Sequence, residues 1–236
     1  MRLRRGPEAL WLVRHGESEG NVLREEAYRE SLHEIALTTR DADSPLSPRG
    51  EDQARTFGRW LAAQPEDLRP TAVLASPYVR ARETARLALE AAGEPWSRLE
   101  VDVDERLRDR ELGLLDGLTW RGIVAKYPEE AERKRRLGKF YHRPPGGESW
   151  ADICLRLRSW YADVARDLPE ERILVVAHDA VIHLTRVIVE GLSEEAAVRI
   201  SDETPYGNAA LTAYERETGG GYVLTAYNEV VGDVRR

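Results

Sequence analysis

The feature that most constrains the fold is a set of three short apolar runs, at residues 9–13, 71–75 and 173–177, each followed directly by polar residues. None of them alternates strictly between apolar and polar side chains. Such runs are typical of strands that are covered on both faces. The chain between and after them has apolar residues at helical spacing, in the segments 47–63, 77–92, 149–168 and 180–190. This alternation predicts an α/β protein, folded as an α/β/α sandwich.

Two further patterns refine this prediction. The segment 149–168 carries tryptophans, a tyrosine and aliphatic residues along one helical side, and Ser47 and Ser149 are suited to cap two of the helices. Near the C-terminus, residues 209–214 and 222–227 flank a run of three glycines, which predicts an antiparallel hairpin at the sheet edge. We therefore expect a mostly parallel, mixed sheet in a three-layer sandwich.

Two segments do not fit the predicted alternation of strands and helices. These are about 19–45 and about 119–147, and we expect them to leave the core as excursions that form a lid or a substrate-selecting surface. The chain has no internal repeat, low-complexity tract or linker. We therefore predict one domain over residues 1–236.

Composition excludes several classes of protein. The formal net charge is -7, so the chain lacks the basic surface that a nucleic-acid binder needs. The N-terminal residues 1–8 are followed by only five apolar residues, too few for a signal peptide, and no run reaches membrane-spanning length. The single cysteine, Cys154, belongs to an apolar helical stripe, where we expect it to pack. We predict a cytoplasmic protein without nucleic-acid or membrane partners, with a homodimer as one alternative for its assembly.

Polar residues suited to phosphate follow each predicted strand. Arg14 and His15 follow the first, Arg80 comes shortly after the second, and His178 and Asp179 follow the third. Ligands of open α/β sheets bind outside the carboxyl ends of the strands, so these side chains are expected to face one site. Arginine holds two phosphate oxygens at once, which makes the set suitable for a phosphoryl group.

The same set favours nucleophilic chemistry by a histidine. Neighbouring cations disfavour protonation of His15 and leave a ring nitrogen free to attack, and Gly16 is expected to let the backbone approach a ligand closely. The leaving alkoxide needs a proton from a carboxylic acid near the pocket. The candidates are Asp109, Glu111 and Asp179.

These residues together resemble the histidine phosphatase superfamily, in the branch of cofactor-dependent phosphoglycerate mutases and broad-specificity phosphatases. The resemblance runs from about residue 10 to about residue 214, and five motifs in the same order make it specific. They are Arg14-His15-Gly16-Glu17-Ser18 with Asn21, SPYVRARETA at 76–85, the segment 109–117, Gly-Gly-Glu-Ser at 146–149, and Ala177-His178.

The resemblance implies a role for each matching residue. His15 would form the phosphohistidine, Arg14 and Arg80 would grip phosphate oxygens, Asn21 would donate a further hydrogen bond, and His178 would stabilise the transferring group. It also implies a phosphoglycerate mutase-like three-layer sandwich with a mixed sheet.

The residue that would act as the acid matches the pattern of the superfamily less closely than the other site residues do. Relatives carry glutamate four residues before a glycine, where this chain has Asp109 before Gly113. We rank Asp109 first. Asp179 follows the second histidine, as in the acid phosphatase and phytase branch, and ranks second; Glu111 ranks third.

A basic run at residues 129–139 bears on the substrate. Glu129 with Arg133, and Glu132 with Arg136, have helical spacing, which favours a solvated salt-bridged face over a second anion site. The other histidines, at 33, 142 and 183, have no supporting metal-ligand pattern. We predict neither a metal nor a cofactor.

The sequence therefore predicts a phosphomonoester hydrolase that acts on a small phosphorylated metabolite through a phosphohistidine. The residues 109–112, Asp-Arg-Glu-Leu, differ from the Glu-Arg-His-Tyr run that mutases carry. A 2,3-bisphosphoglycerate-dependent phosphoglycerate mutase is the first alternative. A non-catalytic relative that binds a phosphorylated ligand is the second.

Overall fold

The computed structural model describes residues 6–232. Residues 1–5, which belong to the segment predicted not to be a signal peptide, and residues 233–236, at the end of the predicted domain, lie outside the described residues. The strands are β1 (Ala9–Arg14), β2 (Ala72–Ala75), β3 (Val101–Val103), β4 (Arg172–Ala177), β5 (Ala210–Arg216) and β6 (Tyr222–Val230). The helices are α1 (Glu19–Arg29), α2 (Pro48–Ala62), α3 (Val79–Ala92), α4 (Trp120–Lys126), α5 (Pro128–Tyr141), α6 (Trp150–Asp167), α7 (Asp179–Arg186) and α8 (Glu194–Glu203).

The strands form one mixed sheet in the order β3-β2-β4-β1-β5-β6. The first four strands in this order are parallel, and β1 lies between β4, its parallel partner, and β5, its antiparallel partner. Strands β5 and β6 form the predicted hairpin at the sheet edge. Because β1, β4 and β2 are neighbours, their carboxyl ends lie along the same edge of the sheet.

Helices cover both faces of the sheet, which explains why the strand runs do not alternate. Leu10 and Leu12 of β1 pack in one apolar cluster with residues of α6 and α7. Trp11 and Val13 point the other way and pack with residues of α2 and α3. Each side chain of β1 therefore meets a helix layer, and the predicted three-layer sandwich is confirmed.

Serine side chains fix where the helices begin. Ser47 Oγ accepts a hydrogen bond from the Gly50 backbone at the start of α2, and Ser149 Oγ accepts one from Asp152 at the start of α6. Such caps typically contribute about 1 kcal/mol each. Both predicted N-caps are confirmed, and Cys154, on the buried face of α6, packs in the apolar cluster as expected.

The structure differs from the sequence prediction at its shorter elements. Strand β3 has only three residues, two of them exposed, so it leaves no apolar run to find. The excursion at 19–45 begins with helix α1, and the excursion at 119–147 contains α4 and α5. The helix expected over 180–190 ends at Arg186 and continues as a π-helical turn, Val187–Gly191.

The salt bridges of α5 also differ from those expected. Arg133 pairs with Glu130 at 2.7 Å, and Arg135 pairs with Glu132 at 2.7 Å, so both pairs have a spacing of three residues instead of four. This face of α5 nevertheless carries ion pairs and is mostly exposed. Within residues 6–232, no helix is both long and apolar enough to cross a bilayer.

Candidate active site

A cavity of about 250 Å³ opens at the edge of the sheet where β1 and β4 end. The expected convergence of residues from separate strands is confirmed, because the side chains that follow β1, those that follow β4 and the first turn of α3 all reach this cavity. The lining consists of Arg14, His15, Gly20, Asn21, Arg24, Asp41, Arg80, Asp109, Arg110, Leu112, Asp116, Asp179 and Ala180.

The hydrogen bonds of His15 define its tautomer. Nδ1 lies 2.7 Å from the carbonyl oxygen of Gly16, and because a carbonyl only accepts, Nδ1 carries the proton. Nε2 is then the lone-pair nitrogen, and Arg80 Nε donates to it across 3.2 Å. Burial, followed by His178 and the guanidiniums of Arg80 and Arg14, lowers the pKa of His15 well below its usual value. His15 is therefore a neutral base with its lone pair on the Arg80 side of the ring.

His178 lies beside His15 and is not itself one of the residues that line the cavity. The two rings meet edge-on, with centroids 5.1 Å apart. His178 Nε2 is 2.7 Å from Ser76 Oγ, and Nδ1 is 3.3 Å from Asp109 Oδ2. Burial lowers the pKa of His178 to about 3, although the nearby Asp109 acts in the opposite direction. This imidazole is also neutral near pH 7.

Arg80 lies in the first turn of helix α3 and uses its whole guanidinium in hydrogen bonds at the cavity. Besides the bond to His15, Nη1 donates to the main-chain oxygen of Asp41, and Nη2 lies 2.9 Å from Asp41 Oδ2 and 3.1 Å from Asp109 Oδ2. The guanidinium carbon stands 4.9 Å from the ring centroid of Tyr78. A phosphate entering here therefore meets a preoriented cation that already has anionic partners.

Arg14 is the last residue of β1 and also lines the cavity. Its Nη1 donates to the backbone oxygen of Tyr206, while its buried Nε has no hydrogen-bond partner among residues 6–232. Burial lowers the pKa of Arg14, and the charges of Asp179 and Asp109 oppose that shift. Because arginine stays protonated in proteins, the cavity has a second fixed positive charge.

The three candidate acids have different surroundings. Burial alone would raise the pKa of Asp109, but His178 and Arg80 outweigh it and hold the pKa below its usual value. Burial raises the pKa of Asp179, with Arg14 opposing the shift. Glu111 is outside the cavity lining, and its carboxylate accepts a hydrogen bond of 2.9 Å from the Tyr78 hydroxyl.

Asn21 lines the cavity but uses its side-chain oxygen within the protein. That oxygen accepts from the Ser18 backbone at 3.1 Å, as half of a capping box on α1, and from Asn208 Nδ2 at 3.2 Å. Asn208 also donates to the His15 carbonyl oxygen at 3.1 Å. With its oxygen committed, Asn21 has only its amide N–H groups left to offer a ligand.

Gly16 has a different reason to be glycine from the one expected. Its backbone N–H donates to Thr84 Oγ1 at 2.9 Å, and the residue is not part of the cavity lining. A Cβ at this position would overlap the Gly50 carbonyl oxygen in α2. In the structure the glycine permits close packing of the His15 loop on α2, and a phosphate contact by Gly16 stays a prediction.

Glu148 connects the segment of Asp109 to helix α6. Its carboxylate accepts hydrogen bonds from Arg108 at 2.6 Å and Arg156 at 2.9 Å, and it also accepts one from the Glu111 backbone at 3.2 Å. Arg156 in turn donates to the Asp109 carbonyl oxygen at 3.2 Å. Capping of α6 falls to Ser149, and Glu148 holds the backbone that carries Asp109.

Several lining residues were not found from the sequence. Asp41 lies in the 19–45 excursion, and Arg24 on the helix that begins it, where strand-end spacing gives no signal. Arg110 directly follows Asp109, and this position beside a candidate acid is the only sequence signal that could have indicated it. Its Nε and Nη2 donate to the backbone oxygens of Glu148 and His142.

The remaining histidines lie outside this cavity. His142 Nε2 pairs with Glu130 at 3.2 Å, and His183 Nε2 lies 2.5 Å from the Ala197 carbonyl oxygen. Across residues 6–232, no group of three or more His, Cys, Asp or Glu side chains is arranged to hold a metal ion.

The fold and the site, where neutral His178 lies beside neutral His15 and Arg14 and Arg80 line the cavity, have the features of a histidine phosphatase. The sequence profile of the histidine phosphatase superfamily (branch 1) matches residues 10–229. The chain belongs to this superfamily.

Known proteins similar to this chain include a phosphoglycerate mutase and phosphatases. The 2,3-bisphosphoglycerate-dependent phosphoglycerate mutase 2 of Gloeobacter violaceus is 34% identical over 196 residues, which cover 82% of this chain and 81% of that protein. A mycobacterial glucosyl-3-phosphoglycerate phosphatase superposes with a TM-score of 0.69 at 25% identity, covering 94% of this chain and 99% of the other. The α-ribazole phosphatase of Shigella flexneri, at 23% identity with 94% and 96% coverage, shares the fold with a TM-score of 0.73.

Proposed function

We propose that the protein is a phosphomonoester hydrolase that works through a phosphohistidine on His15. The observation that carries the proposal is the lone pair on His15 Nε2, on the side of the ring where Arg80 donates to it at 3.2 Å. The Gly16 carbonyl holds the proton on Nδ1, so Nε2 needs no deprotonation before it attacks. A small phosphorylated metabolite is the proposed substrate, and the cytoplasm is the proposed location.

In the first step, His15 Nε2 forms a bond to phosphorus while the bond from phosphorus to the ester oxygen breaks. Arg14 and Arg80 take the charge that develops on the non-bridging oxygens. His178, neutral and with Nε2 on Ser76, offers a ring nitrogen to the same group. The departing oxygen takes a proton from a carboxylic acid and leaves as an alcohol.

We assign this proton to Asp109, although its pKa lies below the usual value. A bound phosphate dianion adds negative charge beside Asp109 and draws Arg80 toward itself. Both changes favour the protonated carboxyl, so its pKa rises in the complex. Asp179, whose burial already raises its pKa, is the alternative donor from the Arg14 side.

In the second step, water attacks phosphorus and the bond from phosphorus to His15 Nε2 breaks. The Asp109 carboxylate accepts a proton from the attacking water, which returns it to its starting state. Inorganic phosphate is released, and His15 is again neutral. Every proton that leaves the acid in the first step is thus recovered in the second.

A phosphoglycerate mutase is the second candidate. Arg24 and Arg110 line the same cavity as the phosphate-binding arginines, which favours a substrate with a further anionic group. The curated relatives that match include mutases. Against this alternative, residues 109–112 lack the histidine and tyrosine of the mutase run.

A panel of phosphate esters separates these candidates. A hydrolase releases free phosphate from several esters, including an aryl phosphate. A mutase interconverts 2-phosphoglycerate and 3-phosphoglycerate with little free phosphate, and requires priming by 2,3-bisphosphoglycerate. A non-catalytic relative binds inorganic phosphate but does neither, and either of these results would overturn the hydrolase proposal.

A further inference from the structure

The contact between Asp41 and Arg80 brings an acidic residue of the 19–45 excursion into the reaction pocket. Asp41 lies in a short helical turn between α1 and α2, Asp41–Asp43. Both its main-chain oxygen and its carboxylate accept hydrogen bonds from Arg80. Its side chain is 25% exposed and belongs to the cavity lining, so the carboxylate is accessible to a ligand.

The position of Asp41 relative to Asp109 tells which part of a substrate it meets. Both carboxylates contact the same nitrogen of Arg80, at 2.9 Å and 3.1 Å. Asp109 is the proposed proton donor, so the ester oxygen must come to its side of the phosphate. The carbon chain attached to that oxygen therefore leaves the phosphate close to Asp41.

A carboxylate at this position distinguishes between leaving groups by charge. It accepts hydrogen bonds from a hydroxyl of the leaving group, and it repels a carboxylate or second phosphate placed there. The other acid of the same turn, Asp43, is exposed and lies outside the cavity lining. It pairs with Arg40 at 2.7 Å. The turn thus carries one acid that faces the pocket and one that faces solvent.

We infer that Asp41 is a specificity-determining residue that favours phosphate esters of uncharged polyols over phosphate esters whose leaving group carries a second anion. This inference rests on the proposed hydrolase function and names its substrate class. Arg24 and Arg110, in the same lining, would favour the opposite substrate class if they dominated recognition. The two outcomes are therefore separable by experiment.

The test compares two substrates that differ only in the relevant group. Glycerol 3-phosphate and 3-phosphoglycerate share a three-carbon chain, and a hydroxymethyl group in the first replaces the carboxylate of the second. We expect the wild-type protein to have a kcat/KM about tenfold or more higher for glycerol 3-phosphate. In Asp41→Asn this ratio should fall about tenfold, mainly through a lower KM for 3-phosphoglycerate.

Two further variants make the result specific. Asp43→Asn removes the other charge of the same turn and should keep the wild-type ratio. Asp41→Ser removes the pocket charge with a smaller side chain and gives the same test if Asp41→Asn does not fold. Because release of Arg80 by either Asp41 variant acts on the phosphate of both substrates, the ratio isolates the effect on the leaving group.

The inference is overturned if the wild-type protein prefers 3-phosphoglycerate, or if both Asp41 variants leave the ratio unchanged. p-Nitrophenyl phosphate, which has neither a hydroxyl nor a carboxylate, tests the underlying function separately. If it is hydrolysed while the ratio is insensitive to Asp41, only the specificity role is wrong. If none of the three esters releases phosphate, the hydrolase proposal itself fails.

Discussion

Arg80 donates its Nε–H to His15 Nε2 across 3.2 Å, so the guanidinium that we propose binds phosphate directly contacts the proposed nucleophile. The remaining nitrogens of Arg80 bind Asp41 and Asp109. A phosphate that enters must take over the contacts of this guanidinium. Arg80 thereby links substrate binding to exposure of the His15 lone pair.

Replacement of Arg80 by lysine tests this link. Arg80→Lys keeps a positive charge but loses the planar set of donors that reaches His15 and two carboxylates together. We expect kcat/KM to fall by about 100-fold, with both a higher KM and a lower kcat, because lysine is a single point charge. Steady-state kinetics with p-nitrophenyl phosphate measures this. Arg82→Lys, on the exposed side of α3, is the matched control, and equal effects of both changes would contradict the role of Arg80.

The proton donor can be identified from its dependence on the leaving group. Asp109→Asn should lower kcat/KM, which reports only the phosphorylation of His15, by about 10²–10⁴-fold for an alkyl phosphate, because the alkoxide cannot leave unprotonated. With p-nitrophenyl phosphate, whose phenolate leaves without help, the loss should be less than about tenfold. The same two substrates are measured with Asp179→Asn. A leaving-group-dependent loss in Asp179→Asn alone would move the assignment to Asp179.

The buried histidines should make folding stability depend on pH. Burial lowers the pKa of folded His178 to about 3, while an unfolded histidine titrates near 6.5, so below pH 6.5 only the unfolded chain binds this proton. Stability therefore falls as pH falls, by about 1.6 kcal/mol from pH 6.5 to pH 5.0 for His178 alone. Denaturant unfolding at both values measures the change. His178→Asn should show a correspondingly smaller pH dependence, and an unchanged dependence would count against a buried neutral imidazole.

The loop that carries His15 should depend on close backbone contact with α2. A Cβ on Gly50 would overlap the Glu17 carbonyl oxygen, and backbone atoms cannot move aside cheaply. We expect Gly50→Ala to lower the free energy of unfolding by about 3 kcal/mol and to reduce activity with it. Gly219→Ala is the control, because a Cβ there meets no atom within 4 Å. If thermal unfolding shows equal stability for the two variants, the close contact is not important.

Strand ends were the most informative part of the sequence. Apolar runs buried on both faces identified β1, β2 and β4, and parallel strands bring the residues after their ends to one edge. Arg14, His15 and Arg80 could be grouped for this reason, as the shared cavity confirms, and the ring of His178 lies beside that of His15. Their individual roles in the reaction stay predictions.

Residues that reach the cavity from irregular segments could not be predicted in this way. Asp41 depends on how the 19–45 excursion folds back, which local spacing does not determine. The carboxylate of Glu148, which holds the segment of Asp109, binds Arg108 and Arg156, 40 and 8 residues away in sequence. Side-chain pairs between distant segments leave no periodic signal in a single sequence.

Detection of a phosphorylated enzyme tests the central claim most directly. The protein is mixed with an aryl phosphate, quenched within milliseconds under alkaline conditions that preserve phosphohistidine, and digested for mass spectrometry. We expect one phosphoryl group on the peptide that contains His15, formed at least as fast as turnover and absent from His15→Ala, which should lose about 10³-fold or more in kcat. A His15→Ala variant that turns over at the wild-type rate, or a phosphoryl group found on another residue, would contradict the account.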